Sequence, residues 1–175
     1  VYILDIKIPS TRIEIIDILF ENDFINYSFT VFCLAILING SNFLDGINTL
    51  LINYYIIVLG LILFFLDVNI DQYFVTNLFS LLIIILLFNV FGQIILGDSG
   101  AYILSLSIGL ILIELSNEND LISPYFIILL IWYPCFELLF SMIRRLVFNL
   151  YSYEPDTMHL HQMILKMISK NKKFK

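Results

Sequence analysis

Charge is what this sequence has least of. Asp, Glu, Lys and Arg make up 14% of its 175 residues, where a soluble domain carries about 25%. Hydrophobic residues make up 60%, against about 45–50% in such a domain. That much apolar surface cannot be hidden in one core, so a single water-soluble domain is excluded and the membrane is the natural solvent. Cysteine is nearly absent too. Cys33 and Cys135 both lie in apolar runs. They read as small core or lipid-facing residues, not as a disulfide or a metal site. Basic residues are missing from the whole stretch between Arg12 and Arg144, and seven of the nine lie after position 143. That asymmetry concerns membrane topology, and no nucleic-acid partner is expected. The first residue is Val, and no charged leader or cleavage site precedes the apolar runs. The chain is therefore expected to be part of a longer protein.

What is present is a series of five apolar segments, at roughly 24–38, 50–66, 74–91, 101–115 and 124–142. A spanning helix needs about 20 residues, and the two shorter runs can extend into their polar flanks. The expected fold is an all-α polytopic membrane protein with about five transmembrane helices. Ahead of them, residues 1–23 alternate in places (RIEIIDI, Arg12 to Ile18) around Pro9-Ser10. They are expected to form a short extracytoplasmic β-hairpin. Residues 24–142 would hold the spans and 143–175 a cytoplasmic tail, since basic residues collect on that side. Counting back, the loops at 39–49 and 92–100 are cytoplasmic. The loops at 67–73 and 116–123 are outside, and neither holds a Lys or Arg. Three polar clusters thus share the cytoplasmic face of an inner or plasma membrane.

The first is NGSNFLDGIN. Asn39, Asn42, Asp45 and Asn48 recur every three residues, so on one helix they share a broad face that could line a polar cavity at the boundary. A solvated helix end with amide caps is the plainer reading. The second is Gly97-Asp98-Ser99-Gly100, opening the fourth apolar run. Glycines let backbone approach a phosphate and a helix N-terminus offers N–H groups to an anion. Asp98 is then placed to hold a hard cation such as Mg²⁺. The alternative is an ordinary turn with Asp98 or Ser99 as N-cap. The third is Pro155-Asp156-Thr157-Met158-His159-Leu160-His161-Gln162. With few metal ligands nearby, His159 and His161 suit donors to an anion better than a zinc site. Arg144 and Arg145 read as a topology anchor. Glu137 is an acid inside the fifth segment, serving either function or a neighbouring helix.

The order of these motifs is specific: NxxNxxDGxxxL, then GDSG opening a span, then a proline in the last helix, an Arg pair and PDxxHxH. In this order the sequence resembles the polyprenyl-phosphate N-acetylhexosamine-1-phosphate transferases, over about Asn39 to Ile164. That family includes the undecaprenyl-phosphate N-acetylglucosamine-1-phosphate transferases and the phospho-N-acetylmuramoyl-pentapeptide transferase. The resemblance implies transfer of a sugar-1-phosphate from a UDP-sugar to a polyprenyl phosphate, with release of UMP and a requirement for Mg²⁺. It would be the first membrane step of a cell-envelope glycan. It implies metal binding by Asp98 and a catalytic role for Asp45 on the nucleotide or metal side. Asn39 and Asn42 would be polar substrate ligands and Asn89 would precede the GD motif. His159 and His161 would contact the diphosphate or uridine. The sequence departs from the family in four places. No Asp-Asp pair occurs, Asn48 stands for a second Asp, HLHQ replaces a three-histidine motif, and Glu137 stands where Asp is commoner. The chain is accordingly expected to be a C-terminal portion, incomplete alone. A broken-helix transporter or an inactive scaffold remnant is the alternative, and a homodimer is left open.

Overall fold

The computed structural model describes residues 5–65, 71–119, 121–147 and 160–172. Eight helices occur among them: α1 (Glu14–Phe20), α2 (Asp23–Leu44), α3 (Leu50–Phe65), α4 (Gln72–Val90), α5 (Gly97–Glu118), α6 (Pro124–Leu130), α7 (Trp132–Val147) and α8 (Leu160–Lys172). No described residue is in a strand. The expected hairpin is corrected at RIEIIDI, which is extended only at its start and turns helical at Glu14. The cause is local. The Asp17 carboxylate accepts the Thr11 N–H at 2.7 Å and the Ser10 hydroxyl at 2.7 Å, which folds the preceding turn back onto α1.

Helix starts follow side-chain chemistry. The Asn22 side chain accepts the Phe24 N–H at the start of α2, Asp71 accepts that of Phe74 for α4, and Ser123 accepts that of Tyr125 for α6. Each satisfies one of the amides a helix leaves open at its N-terminus. Pro124 at the first position of α6 gives up no helical bond.

Three helices, α2, α4 and α5, are long and apolar enough to cross a membrane, and the α6–α7 pair, bent by 72°, makes a fourth candidate. The remaining expected span, at 50–66, corresponds to α3. Its 16 described residues would reach about 24 Å at 1.5 Å per residue, short of a hydrocarbon core of about 30 Å. The α6–α7 break has an identifiable cause. The ring of Pro134 cannot sit in a continuous helix with the carbonyl four residues earlier, that of Leu130. The Tyr54 hydroxyl donates to that freed carbonyl at 2.7 Å.

The core lies between α3, α4 and α5. Leu51, Ile52, Tyr55, Val58, Leu59 and Ile62 of α3 pack with Val75 and Leu82 of α4 and with Leu104, Ile108 and Leu112 of α5. By contrast α4 leaves Leu81, Ile84, Leu87 and Phe88 exposed, as a lipid-facing helix does. Helix α2 is held closely on two sides. A Cβ on Gly40 would lie 2.1 Å from the Pro134 carbonyl oxygen, and one on Gly109 would lie 2.5 Å from a Leu34 methyl. Glycine is what lets α2 and α5 pack, and α7 approach α2, so closely.

Candidate active site

Helices α2 and α5 run antiparallel. At the Asp23 end of α2, Lys7 bonds Asp23 at 2.9 Å while its carbonyl accepts the amide of Asn117, near the C-terminus of α5, at 3.3 Å. At the other end, the last turn of α2 meets the first turn of α5. There the Asn42 amide donates to the Tyr102 hydroxyl at 3.4 Å. One turn on, Asp45 caps α2 with its N–H on the Ser41 carbonyl at 3.2 Å. Its carboxylate accepts the Gly97 backbone N–H and feels the negative charge of Asp98. Two acids distant in sequence therefore face one another across a helix–helix contact.

The local sequence explains how each side is delivered. Helix α2 runs on through Asn39–Leu44 and stops at Asp45. Asn39, Asn42 and Asp45 hold the three-residue spacing expected of one face, whereas Asn48 lies beyond the helix in the turn to α3. In that turn Thr49 has φ of +72°, a left-handed conformation that a β-branched side chain resists. Such strain is often kept beside functional groups. On the other side, the turn after α4 uses Gly92 at φ +67° and α5 opens on Gly97 at φ +68°, a region that favours glycine. Asn89, buried at the end of α4, ties this turn down by donating to the Ile94 carbonyl at 2.8 Å. Asn89 thus shapes the approach to Gly97-Asp98.

The pKa of Asp45 is shifted in the opposite direction from those of Asp5 and Asp17. Burial pushes the Asp45 carboxyl above its ordinary value, the Gly97 N–H pulls it back, and the charge of Asp98 adds to the rise. Asp98 itself is exposed. The Asn42 Oδ1 is buried and has no hydrogen-bond partner. The arrangement offers a set of oxygen ligands beside the open N–H groups of a helix start, which suits a hard cation and a phosphate. Among the described residues no three His, Cys, Asp or Glu side chains converge, so Asp45 and Asp98 form a pair only.

Asn39 is exposed and its amide bonds the Ala35 carbonyl of its own helix at 2.7 Å. It shares the face of Asn42 and Asp45 but contributes no cross-helix bond. His159 lies outside the described residues. His161 lies in α8, whose first residue, Leu160, donates its N–H to Glu137 of α7 at 3.0 Å.

Sequence reading missed Tyr102, passed over as one aromatic among many, although it falls one turn after Asp98. It also missed α8. Leu160, Met163, Ile164, Met167 and Ile168 have the spacing of an amphipathic helix, and that signal was available.

The family model described as glycosyl transferase family 4 matches residues 1–116. The match contains both Asp45 and Asp98 and ends before Glu137 and the histidines. No curated protein and no solved structure matches the chain.

Proposed function

The chain belongs to glycosyl transferase family 4, and from that premise we propose that it moves an N-acetylhexosamine-1-phosphate from a UDP-sugar to a polyprenyl phosphate. The family is one of membrane glycosyltransferases, with a nucleotide-sugar donor and a lipid-linked acceptor. The finer reading, its residues and its cation are our proposal. The observation that carries it is the convergence of Asp45 and Asp98, the acids of two separate motifs, at adjoining helix ends.

In the proposed reaction an oxygen of the lipid phosphate attacks the sugar-bound phosphorus of the donor. The bond from that phosphorus to the bridging oxygen breaks, and UMP leaves with the electron pair. Phosphoryl transfer of this kind depends mostly on positioning and charge neutralisation. Asp45 and Asp98 would hold Mg²⁺, which would neutralise the charge of the transferring phosphates. The all-oxygen donors, the burdened Asp45 and the unmatched Asn42 Oδ1 fit that ion. Two protein carboxylates leave room for substrate oxygens and water, as Mg²⁺ sites with phosphates commonly do. Asn42 fixes the lip of the site through Tyr102. Backbone amides at the start of α5 would receive a phosphate oxygen. His159 and His161 would donate to the diphosphate or uridine from the tail. This face would be cytoplasmic, where UDP-sugars are made.

A transporter would place its polar groups at the helix break. In this protein the break is closed by Tyr54, and the acid pair sits at helix ends instead. The test is to supply membranes containing the protein with radiolabelled UDP-sugars of several kinds and a polyprenyl phosphate. Label entering the lipid phase with release of UMP, dependent on a divalent cation, is expected. Labelling by no UDP-sugar in correctly inserted protein would overturn the reading.

A further inference from the structure

We infer that Glu137 is a positioning residue for the histidine-bearing segment, an inference that rests on the donor-binding role proposed above for His159 and His161. Glu137 is completely buried, on a helix whose Pro134, Ser141 and Arg144 are buried with it. At spacings of three and four residues these four share one side of α7. A buried carboxylate is costly unless it has partners. Glu137 has the Tyr133 hydroxyl, one turn earlier, and the backbone N–H of Leu160, 3.0 Å from its Oε1.

That second partner is informative. Leu160 is the first residue of α8, so its N–H belongs to the group a helix leaves unsatisfied at its start. A negative group there also complements the helix dipole. In α2, α4 and α6 this work is done by the residue just before the helix. In α8 an acceptor comes from another helix, 23 positions away in sequence. The captured peptide N–H lies between His159 and His161 in the chain. Fixing it fixes where α8, which carries His161, joins the helix bundle. The bond also links the tail to the acid pair mechanically, because α7 packs against Gly40, five residues before Asp45. Glu137 touches no substrate in this account and acts through the segment it holds.

The test uses the purified protein in lipid nanodiscs, with hydrogen exchange at the Leu160 amide and steady-state kinetics against UDP-sugar. Glu137→Ala should accelerate exchange at Leu160 by at least about tenfold, as expected for loss of a charge-assisted bond. It should also raise the KM for UDP-sugar about tenfold while leaving kcat within about twofold. Glu137→Gln keeps an acceptor oxygen and should retain most of the protection and affinity. Leu160→Pro removes the donor and should reproduce the KM effect, since proline is tolerated at a first helical position. It keeps the inference open to refutation even if Glu137→Ala fails to fold. Unchanged Leu160 exchange in Glu137→Ala would overturn the tether. Lost protection with unchanged KM, or a wild-type KM in Leu160→Pro, would overturn the positioning role. Wild-type protein that accepts no UDP-sugar would instead refute the proposed reaction, while the exchange measurement would still decide the tether.

Discussion

At its N-terminal end, α2 meets residues 5–13 in a network of matched polar groups. Asn26 donates to the Ile8 carbonyl at 3.0 Å, Thr30 accepts the Ile8 N–H at 3.2 Å, and Lys7 lies between Asp5 and Asp23. Asp5 and Asp17 are held below their ordinary pKa values, Asp5 chiefly by the Tyr27 hydroxyl and Asp17 chiefly by the Thr11 N–H. At its C-terminal end, α2 presents Asp45, raised by burial beside Asp98, and an Asn42 oxygen with no partner. The first end uses polar residues to hold a chain segment in place. The second keeps polar capacity in reserve, an arrangement that costs stability and makes sense if a cation and phosphates complete it. The same helix is thus a structural element at one end and a chemical one at the other.

Substitutions at the two ends should therefore separate activity from stability. The largest effect is expected for Asp98→Asn, with kcat/KM for UMP release falling by about a hundredfold or more and the melting temperature unchanged. Near-normal turnover would remove Asp98 from the site. Asp45→Asn should cost a comparable or somewhat smaller factor, yet leave the melting temperature unchanged or higher because a burdened buried charge is gone. A melting temperature that falls with activity would make Asp45 structural and erase the difference between the ends. Between the ends, Gly40→Ala forces a methyl into the Pro134 carbonyl. It should destabilise by about 1–3 kcal/mol, read as a lower thermal midpoint. At the far end, Asn26→Ala should cost about 1–2 kcal/mol for its lost bonds, with kcat per folded molecule unchanged.

The smallest effect is one of pH, with opposite signs at the two ends. Asp45 has a raised folded pKa, so it holds its proton to higher pH than an ordinary Asp. In the metal-free protein its carboxyl should titrate above the ordinary aspartate value of 3.8, read by NMR. Its contribution to folding is most favourable at low pH and is lost as pH rises through the folded value. Asp17 has a lowered folded pKa. Its stabilising contribution is present above 3.8 and is lost as pH falls through its folded value. The stability difference between wild type and Asp17→Asn should accordingly shrink below that pH. A metal-free titration of Asp45 at or below 3.8 would place it with the ordinary acids.

The helices were legible because their signal is redundant: a long apolar run reports itself through every residue, and α2, α4 and α5 lie where the runs predict. The pairing of NGSNFLDGIN with LGDSG was expected from the parity of five spans, whereas in the structure it comes from the antiparallel packing of α2 on α5, which brings the charge of Asp98 to Asp45. Less redundant signals were misread. RIEIIDI alternates like a strand, but one carboxylate bonding backward from Asp17 decides in favour of a helix. The three-residue spacing suggested one face through Asn48, but Asp45-Gly46 ends the helix first. The role of Glu137 in holding Leu160 depends on a contact between elements remote in sequence, and nothing local to either residue announces it.

The most direct test is a titration of the purified protein with Mn²⁺, a spectroscopic stand-in for Mg²⁺, followed by electron paramagnetic resonance. A bound ion is expected in the wild type, lost in Asp45→Asn and in Asp98→Asn and retained in Asn26→Ala. Equal Mn²⁺ binding by all four proteins would contradict it.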